Sequence, residues 1–374
     1  MLKAGFIGFG RMGITHFSIL NTNPAISPVA VCDQSGAMLN ILKKYVNIET
    51  FSNYRKMIAE TDLDCVIIST PSDSHTEIIN HAIDNNLHVF TEKPFAMNSM
   101  DGRDTLKHLE GRNLVNQVGY VNRFNEVFME VKKLIESGII GEIKQFSSEM
   151  YGATVLKDAK SGWRGKKNTG GGCLYEFASH GIDLALYLFG MPDKVAGSVL
   201  QGIFSSEVED WVSSTFVYRN RFSGTITVNW SDETYRKPAN IITVNGTKGK
   251  IVADKHAYKI FLKASDPGGR FQKGWNTVYI TELAQSVSFY LRGNEFTRQL
   301  DYFVDCIGNN AKENLCSFAD ALQTDIVMDK ITSDAVRTLA EETAGVDDGV
   351  PLSEQPRRRS FWEKMFQALK LGAK

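Results

Sequence analysis

The sequence predicts an α/β protein: a doubly wound parallel sheet at the N-terminus, then an α+β half with a large, mostly antiparallel sheet. Three observations predict it. Apolar runs alternate with helix-like stretches from Met1 to about Val121. Beyond Tyr120 the pattern becomes a succession of short alternating strands with few helices. At 374 residues the chain is too long for one ordinary core, so domains are expected at 1–121 and 122–350, with 351–374 as a tail of different character.

The first strand (4–7) feeds directly into Gly8-Phe-Gly10-Arg-Met-Gly13, and a helix-like pattern continues through Leu20. That strand–turn–helix context is what a G-x-G-x-x-G hexapeptide needs to carry meaning. Gly8 permits the tight turn, Gly10 lets the backbone approach a pyrophosphate, and Gly13 lets the helix pack close to the strand. The unpaired N–H groups at the helix start, around Arg11 and Met12, then face the phosphates. The second apolar run (28–32) ends in Asp33, about 20 residues past the last glycine, where a carboxylate binds ribose hydroxyls. Gln34, Ser35 and Gly36 follow, so no arginine awaits a 2′-phosphate, and NAD is favoured over NADP.

The rest of the first half continues the alternation: a helix over 37–45, a short edge at 50–51 and a helix from Asn53. The run 64–69 is continuously apolar, as expected of a strand covered on both faces. Thr70-Pro71 and a helix over 74–85 follow, then a strand over 87–91 leading to Glu92-Lys93-Pro94, a helix over 100–110 and a strand over 114–119. In the second half, helices are expected at 126–137 and 174–189. Strands are expected at 142–151, 195–204, 211–218, 224–230, 241–245, 250–253, 258–262 and 277–280. Helices over 295–307 and 318–342 are expected to close the second sheet. In the tail, Arg357-Arg-Arg359 precedes an amphipathic stripe of Phe361, Trp362, Met365, Phe366 and Leu369. Docking of that stripe on its own or a neighbouring subunit is favoured over contact with a membrane surface.

Composition narrows the function classes. A net charge of -1 gives no reason to expect nucleic acid. No apolar run reaches the length of a membrane span, and the N-terminus enters a strand without a signal-peptide pattern. The five cysteines include no C-x-x-C and read as reduced thiols in a cytoplasmic protein. No cluster has recognisable metal-ligand spacing, so no metal is expected.

Three places carry candidate chemistry. Lys93 follows a parallel strand at its carboxyl end, where ligands of open α/β sheets bind. In the 174–189 helix, Glu176, His180, Asp183 and Tyr187 share one face of a segment without lysine or arginine, which points that stripe at a cleft. A histidine there exchanges a proton near neutral pH, with a carboxylate one turn away to orient it. In the preceding loop, Trp163-Arg164-Gly-Lys166-Lys167 suits an anionic substrate group, Arg164 more than the lysines. His16, His81, His88, His108 and His256 receive no role.

With these residues in view the chain resembles the glucose–fructose oxidoreductase/inositol dehydrogenase (Gfo/Idh/MocA) family. The likeness rests on Gly8–Gly13, Thr70-Pro71 with His75, Glu92-Lys93-Pro94, Arg123-Phe124, Trp163-Arg164 and Gly170–Asp183. It implies a Rossmann domain, a C-terminal sheet domain that assembles as a dimer or tetramer, and reversible oxidation of a sugar or polyol hydroxyl. It also implies a catalytic set of Lys93, Glu176 and His180, with glutamate at 176 where the inositol branch has aspartate. Thr70, Pro71, His75 and Glu92 join the cofactor residues, and Arg123, Trp163, Arg164 and Asp183 join the substrate residues. The loop at 162–167 and the glycine run at 170–175 look like members that act on nucleotide sugars of surface polysaccharides. A free polyol such as inositol, and a non-catalytic dinucleotide-binding regulator, are the alternatives.

Overall fold

The computed structural model describes residues 1–46, 48–157, 165–166, 169–219, 221–311 and 314–344. Trp163, Arg164, Lys167 and the 351–374 tail lie outside them. Residues Met1–Ala335 form one compact unit.

Six parallel strands make the first sheet: β1 (Leu2–Ile7), β2 (Ile26–Cys32), β3 (Glu49–Phe51), β4 (Cys65–Ile68), β5 (His88–Thr91) and β6 (Asn116–Val118). Their order is β3-β2-β1-β4-β5-β6. The crossovers are α1 (Arg11–Leu20), α2 (Gly36–Tyr45), α3 (Tyr54–Glu60), α4 (His75–Asp84) and α5 (Ser99–Leu109). All four residues of β4 are buried, because helices cover both faces of the sheet. The chain works outward from β1 to β3, then returns to lay β4 on the other side of β1. Crossovers on opposite sides of β1 part there and open a crevice at the carboxyl ends of β1 and β4. Gly8–Gly13 follows β1 and Thr70-Pro71 follows β4. Glu92-Lys93 follows the next strand along.

After α6 (Glu126–Glu136), the second sheet begins with β7 (Ile143–Tyr151). The segment Leu174–Ala178 is a π-helical turn and continues as α7 (Ser179–Phe189). Then come β8 (Lys194–Gln201), β9 (Trp211–Tyr218), β10 (Phe222–Asn229), β11 (Ala239–Gly246), β12 (Gly249–Ala253), β13 (Ala257–Leu262) and β14 (Gly274–Tyr279). Their order is β14-β13-β12-β11-β7-β10-β9-β8, antiparallel except for the central β7–β10 pair. Alternate residues of β9 are buried (Val212, Ser214, Phe216, Tyr218), as a sheet covered on one face requires. Phe146 stacks on Phe189 at 4.3 Å, and its ring fills the place a side chain at Gly224 would take.

A short helix, α8 (Ile280–Leu283), leads toward α9 (Asn294–Gly308) and α10 (Phe318–Ala344). Here the structure corrects the expectation that the last two helices close the second sheet. Leu300, Phe303, Val304 and Ile307 of α9 pack with Ala4, Phe6 and Ile19 of the first sheet's layer, and Phe303 meets Phe90 edge-on at 5.9 Å. The start of α10 (Phe318, Ala321, Leu322) joins the first sheet's core, and Val327, Met328 and Ile331 join the second. An amphipathic stripe specifies that a helix is covered but not by which sheet.

Candidate active site

The glycine turn shows three different constraints. Gly8 has φ +86°, and a Cβ there would lie 2.7 Å from the Ser69 carbonyl oxygen. A Cβ on Gly13 would come within 2.1 Å of the Gly8 oxygen, so α1 packs against its own turn only with glycine there. Gly10 is exposed and faces nothing within 4 Å, which leaves room above the turn. Helix α1 has no side-chain cap and no acidic residue in its first turn, so its leading N–H groups are open to an anion. Asp33 accepts from Phe9 N at 2.6 Å and from Ser35 N at 2.7 Å. It braces the turn while each oxygen keeps a lone pair for ribose hydroxyls. These features fit a dinucleotide.

Thr70 and Pro71 lead into a 3-10 turn, and Ser74 Oγ donates to Thr70 Oγ1 at 2.8 Å. His75 differs from its expected role of cofactor contact. Its ring is fully buried, with Nδ1 2.8 Å from the Pro94 carbonyl oxygen and Nε2 3.0 Å from that of Thr70. It therefore positions the loops after β4 and β5 relative to each other. Glu92 likewise turns inward, with Oε1 2.7 Å from Nε2 of His16. Burial pushes its carboxyl up, but His16 and Lys93 outweigh that and hold it below the usual range. His16 was given no role from sequence, yet the signal existed: Gly13, His16 and Leu20 line the inner face of α1, and a histidine there needs a buried partner.

Lys93 and Glu176 come together, and His180 lies near enough to feel the Lys93 charge. Lys93 Nζ donates to the Glu176 carbonyl at 3.0 Å and the Tyr175 carbonyl at 3.4 Å, and lies 3.8 Å from the Glu176 carboxylate. A π turn displaces carbonyls from the usual ladder, and such turns recur at functional sites. Gly170 and Gly172, with φ +79° and +110°, bring the chain into this turn. Glu209 fixes its start by accepting from Leu174 N at 2.7 Å. Glu209 is a site-shaping residue that the sequence did not reveal. The Tyr120 ring meets His180 edge-on at 6.2 Å, and Nδ1 of His180 has no hydrogen-bond partner among the described residues. Burial, then the charges of Lys93 and Lys255, press the imidazole well below its usual pKa. That shift favours the neutral imidazole.

Two expected substrate residues are placed elsewhere. Arg123 grips Asp183 through Nε at 3.0 Å and Nη2 at 2.8 Å, and its Nη1 donates to the Leu315 carbonyl at 2.9 Å. Both partners are buried, so they bind each other and not a ligand. The single stripe expected on one α-helix is thus divided: Glu176 and His180 reach the site, whereas Asp183 turns inward and Tyr187 packs under Arg123 and Lys132. Trp163 and Arg164 lie outside the described residues. Among the described residues no group of three or more His, Cys, Asp or Glu is placed to hold a metal, and no helix is long and apolar enough to cross a membrane. All five cysteines are free and buried.

The fold and the glycine turn define a Rossmann-type dinucleotide-binding protein with a second, sheet-based half. Residues 2–120 match the model described as "Oxidoreductase family, NAD-binding Rossmann fold", and 128–252 match the GFO/IDH/MocA C-terminal domain. The chain belongs to the Gfo/Idh/MocA family. It is 29% identical over 192 residues to inositol 2-dehydrogenase of Salmonella typhimurium, covering 50% of this chain and 54% of that one. The chain thus spans little more than half the length of such curated relatives. Among solved structures it resembles levoglucosan dehydrogenase in complex with NADH and levoglucosan (22% identity, TM-score 0.79, covering 90% of this chain and 97% of that one). It also resembles the WlbA dehydrogenase of Bordetella pertussis in complex with NADH and UDP-GlcNAcA (22% identity, TM-score 0.79, covering 90% and 96%).

Asp33→Asn keeps an acceptor for the Phe9 N–H but removes the charge. NADH affinity is expected to fall about tenfold relative to NADPH, since a hydrogen bond to a charged group is worth about 1.5–3 kcal/mol. Fluorescence titration with both cofactors checks this.

Proposed function

We propose that the protein is an NAD-dependent oxidoreductase that moves a hydride between the cofactor and a secondary hydroxyl or ketone of a sugar, with a nucleotide sugar as the preferred substrate. The reading is carried by the meeting of Lys93 and Glu176 beside the carboxyl end of β5, with a neutral His180 near enough to feel the Lys93 charge. We assign residues 1–121 to the cofactor and 122–350 to the substrate. The N–H groups from Gly8 to Gly13 would hold the diphosphate, Asp33 the ribose, and Thr70 and Pro71 the nicotinamide half. NAD, when bound, supplies the hydride acceptor.

The chain's own groups handle the proton. His180, uncharged, takes it from the substrate hydroxyl. Lys93 hydrogen-bonds the same oxygen and stabilises the negative charge that develops there, an interaction stronger in the transition state than in the ground state. Glu176, through its carbonyl and its carboxylate, sets where the lysine points. His16 and Glu92 fix the strand end that carries Lys93. The half-exposed face of the second sheet supports assembly as a homo-oligomer.

The test is absorbance at the NADH band during a screen of sugars, polyols and nucleotide sugars. Turnover of a nucleotide sugar well above the free sugar is expected. Turnover of inositol alone would redirect the substrate assignment, and none with any compound would favour a regulator.

A further inference from the structure

Lys93 begins a segment that runs through residues 94–98 into α5, and other elements hold that segment almost residue by residue. The Pro94 carbonyl meets Nδ1 of His75 at the head of α4. Phe95 stacks on Phe318, the first residue of α10, at 4.6 Å. Ala96 N donates to Asp325 Oδ2 at 3.2 Å, the Met97 carbonyl accepts from the Tyr175 hydroxyl at 3.0 Å, and Ser99 N donates to Asp329 Oδ2 at 2.8 Å.

The two acids stand one turn apart on α10 and so share a face. They lie 229 and 230 residues along the chain from the N–H groups they accept. Local chemistry does not reach those groups. The N-cap Asn98 accepts from Met100 N and Asp101 N, which leaves Ser99 N, the first of α5, to Asp329. A carboxylate there also suits the positive end of the helix. Ala96 is fully buried, where an N–H without an acceptor is costly. The same segment is tied to the π turn twice, through Met97 and through Lys93 Nζ, which donates to the Tyr175 and Glu176 carbonyls. The segment that carries the amine is thus framed by α10 on one side and the π turn on the other.

We propose that Asp325 and Asp329 are positioning residues for Lys93: by accepting the Ala96 and Ser99 N–H groups, they hold the loop after β5 where its amine meets the π turn. The inference rests on the oxidoreductase reading above and adds the C-terminal helix to the parts that set the catalytic geometry.

The test combines steady-state kinetics, on the sugar that the NADH screen selects, with hydrogen–deuterium exchange of residues 92–99. In Asp325→Ala and Asp329→Ala, kcat should fall about 10–100-fold, the scale of a misplacement of about 1 Å, with KM for NAD unchanged. Exchange should quicken in 92–99 and not in 1–20. Burial pushes the Asp325 carboxyl well above its usual range, so an amide is a close substitute. Asp325→Asn and Asp329→Asn keep an acceptor and should restore most of the turnover. Asp334→Ala is the control, because it removes an acceptor of the same kind from the same helix, the one that Ser198 N reaches at 2.8 Å in β8. It should leave both kcat and the exchange of 92–99 at wild-type values. Melting temperatures report folding, and half-buried Asp329 covers the case in which Asp325→Ala does not fold. Wild-type kcat in Asp329→Ala together with unchanged exchange overturns the proposal, as does an equal loss of kcat in Asp334→Ala. If exchange quickens in 92–99 but the wild-type protein turns over no sugar, the oxidoreductase reading fails and the tether of the Lys93 loop stands.

Discussion

Replacing His180 by alanine is expected to lower turnover about 10²–10⁴-fold while NADH still binds, since a well-placed acid–base group contributes on that scale. The glycine turn and Asp33 that would hold the cofactor follow β1 and β2, away from α7, so affinity for NADH serves as the internal control. The pH profile carries a second test. A base must be unprotonated to act, and burial followed by the charges of Lys93 and Lys255 sets the ring well below its usual 6.5. Sugar oxidation should therefore hold level through neutral pH and decline only well to the acid side of 6.5. Near-normal turnover in His180→Ala would remove the histidine from the chemistry. The same depression bears on stability, because unfolded His180 takes up a proton near pH 6.5 and the folded ring does not. Its contribution is complete above that pH and falls away as the pH drops below it.

Arg123→Ala is expected to cost about 3–5 kcal/mol of folding stability, because it strands the buried Asp183 carboxylate without its partner. The geometry accounts for the size: Nε and Nη2 both reach the carboxylate, at 3.0 and 2.8 Å, with almost no water near either side chain. Replacing both partners by apolar residues, Arg123→Met with Asp183→Leu, should recover much of the loss. Urea unfolding of the single and double variants measures both effects. Unchanged stability with a raised KM in Arg123→Ala would return the arginine to the substrate.

What the sequence disclosed was whatever is encoded locally. The glycine turn, Asp33 and the Lys93 loop were legible because each role depends on a few neighbouring residues and a strand end. The pairing of Arg123 with Asp183 was not, because 60 residues separate them and family motifs give no direction for a side chain. The π turn was hidden for a related reason. Whether carbonyls bond four or five residues ahead depends here on Glu209 capping from another segment and on Lys93 drawing two carbonyls aside. That one-residue change resets Glu176 relative to α7, whereas His180 and Asp183 both lie within α7 and part only by their positions around one regular helix. The β-meander emerged nearly strand for strand because alternation is a short-range signal. The destination of α9 did not emerge at all.

That destination shapes how the molecule is made. During synthesis the first 121 residues leave the ribosome with Ala4, Phe6 and Ile19 facing a flank whose cover, α9, arrives about 180 residues later. Until then the nascent half presents bare hydrocarbon to water, so the N-terminal and C-terminal ends of the unit mature together.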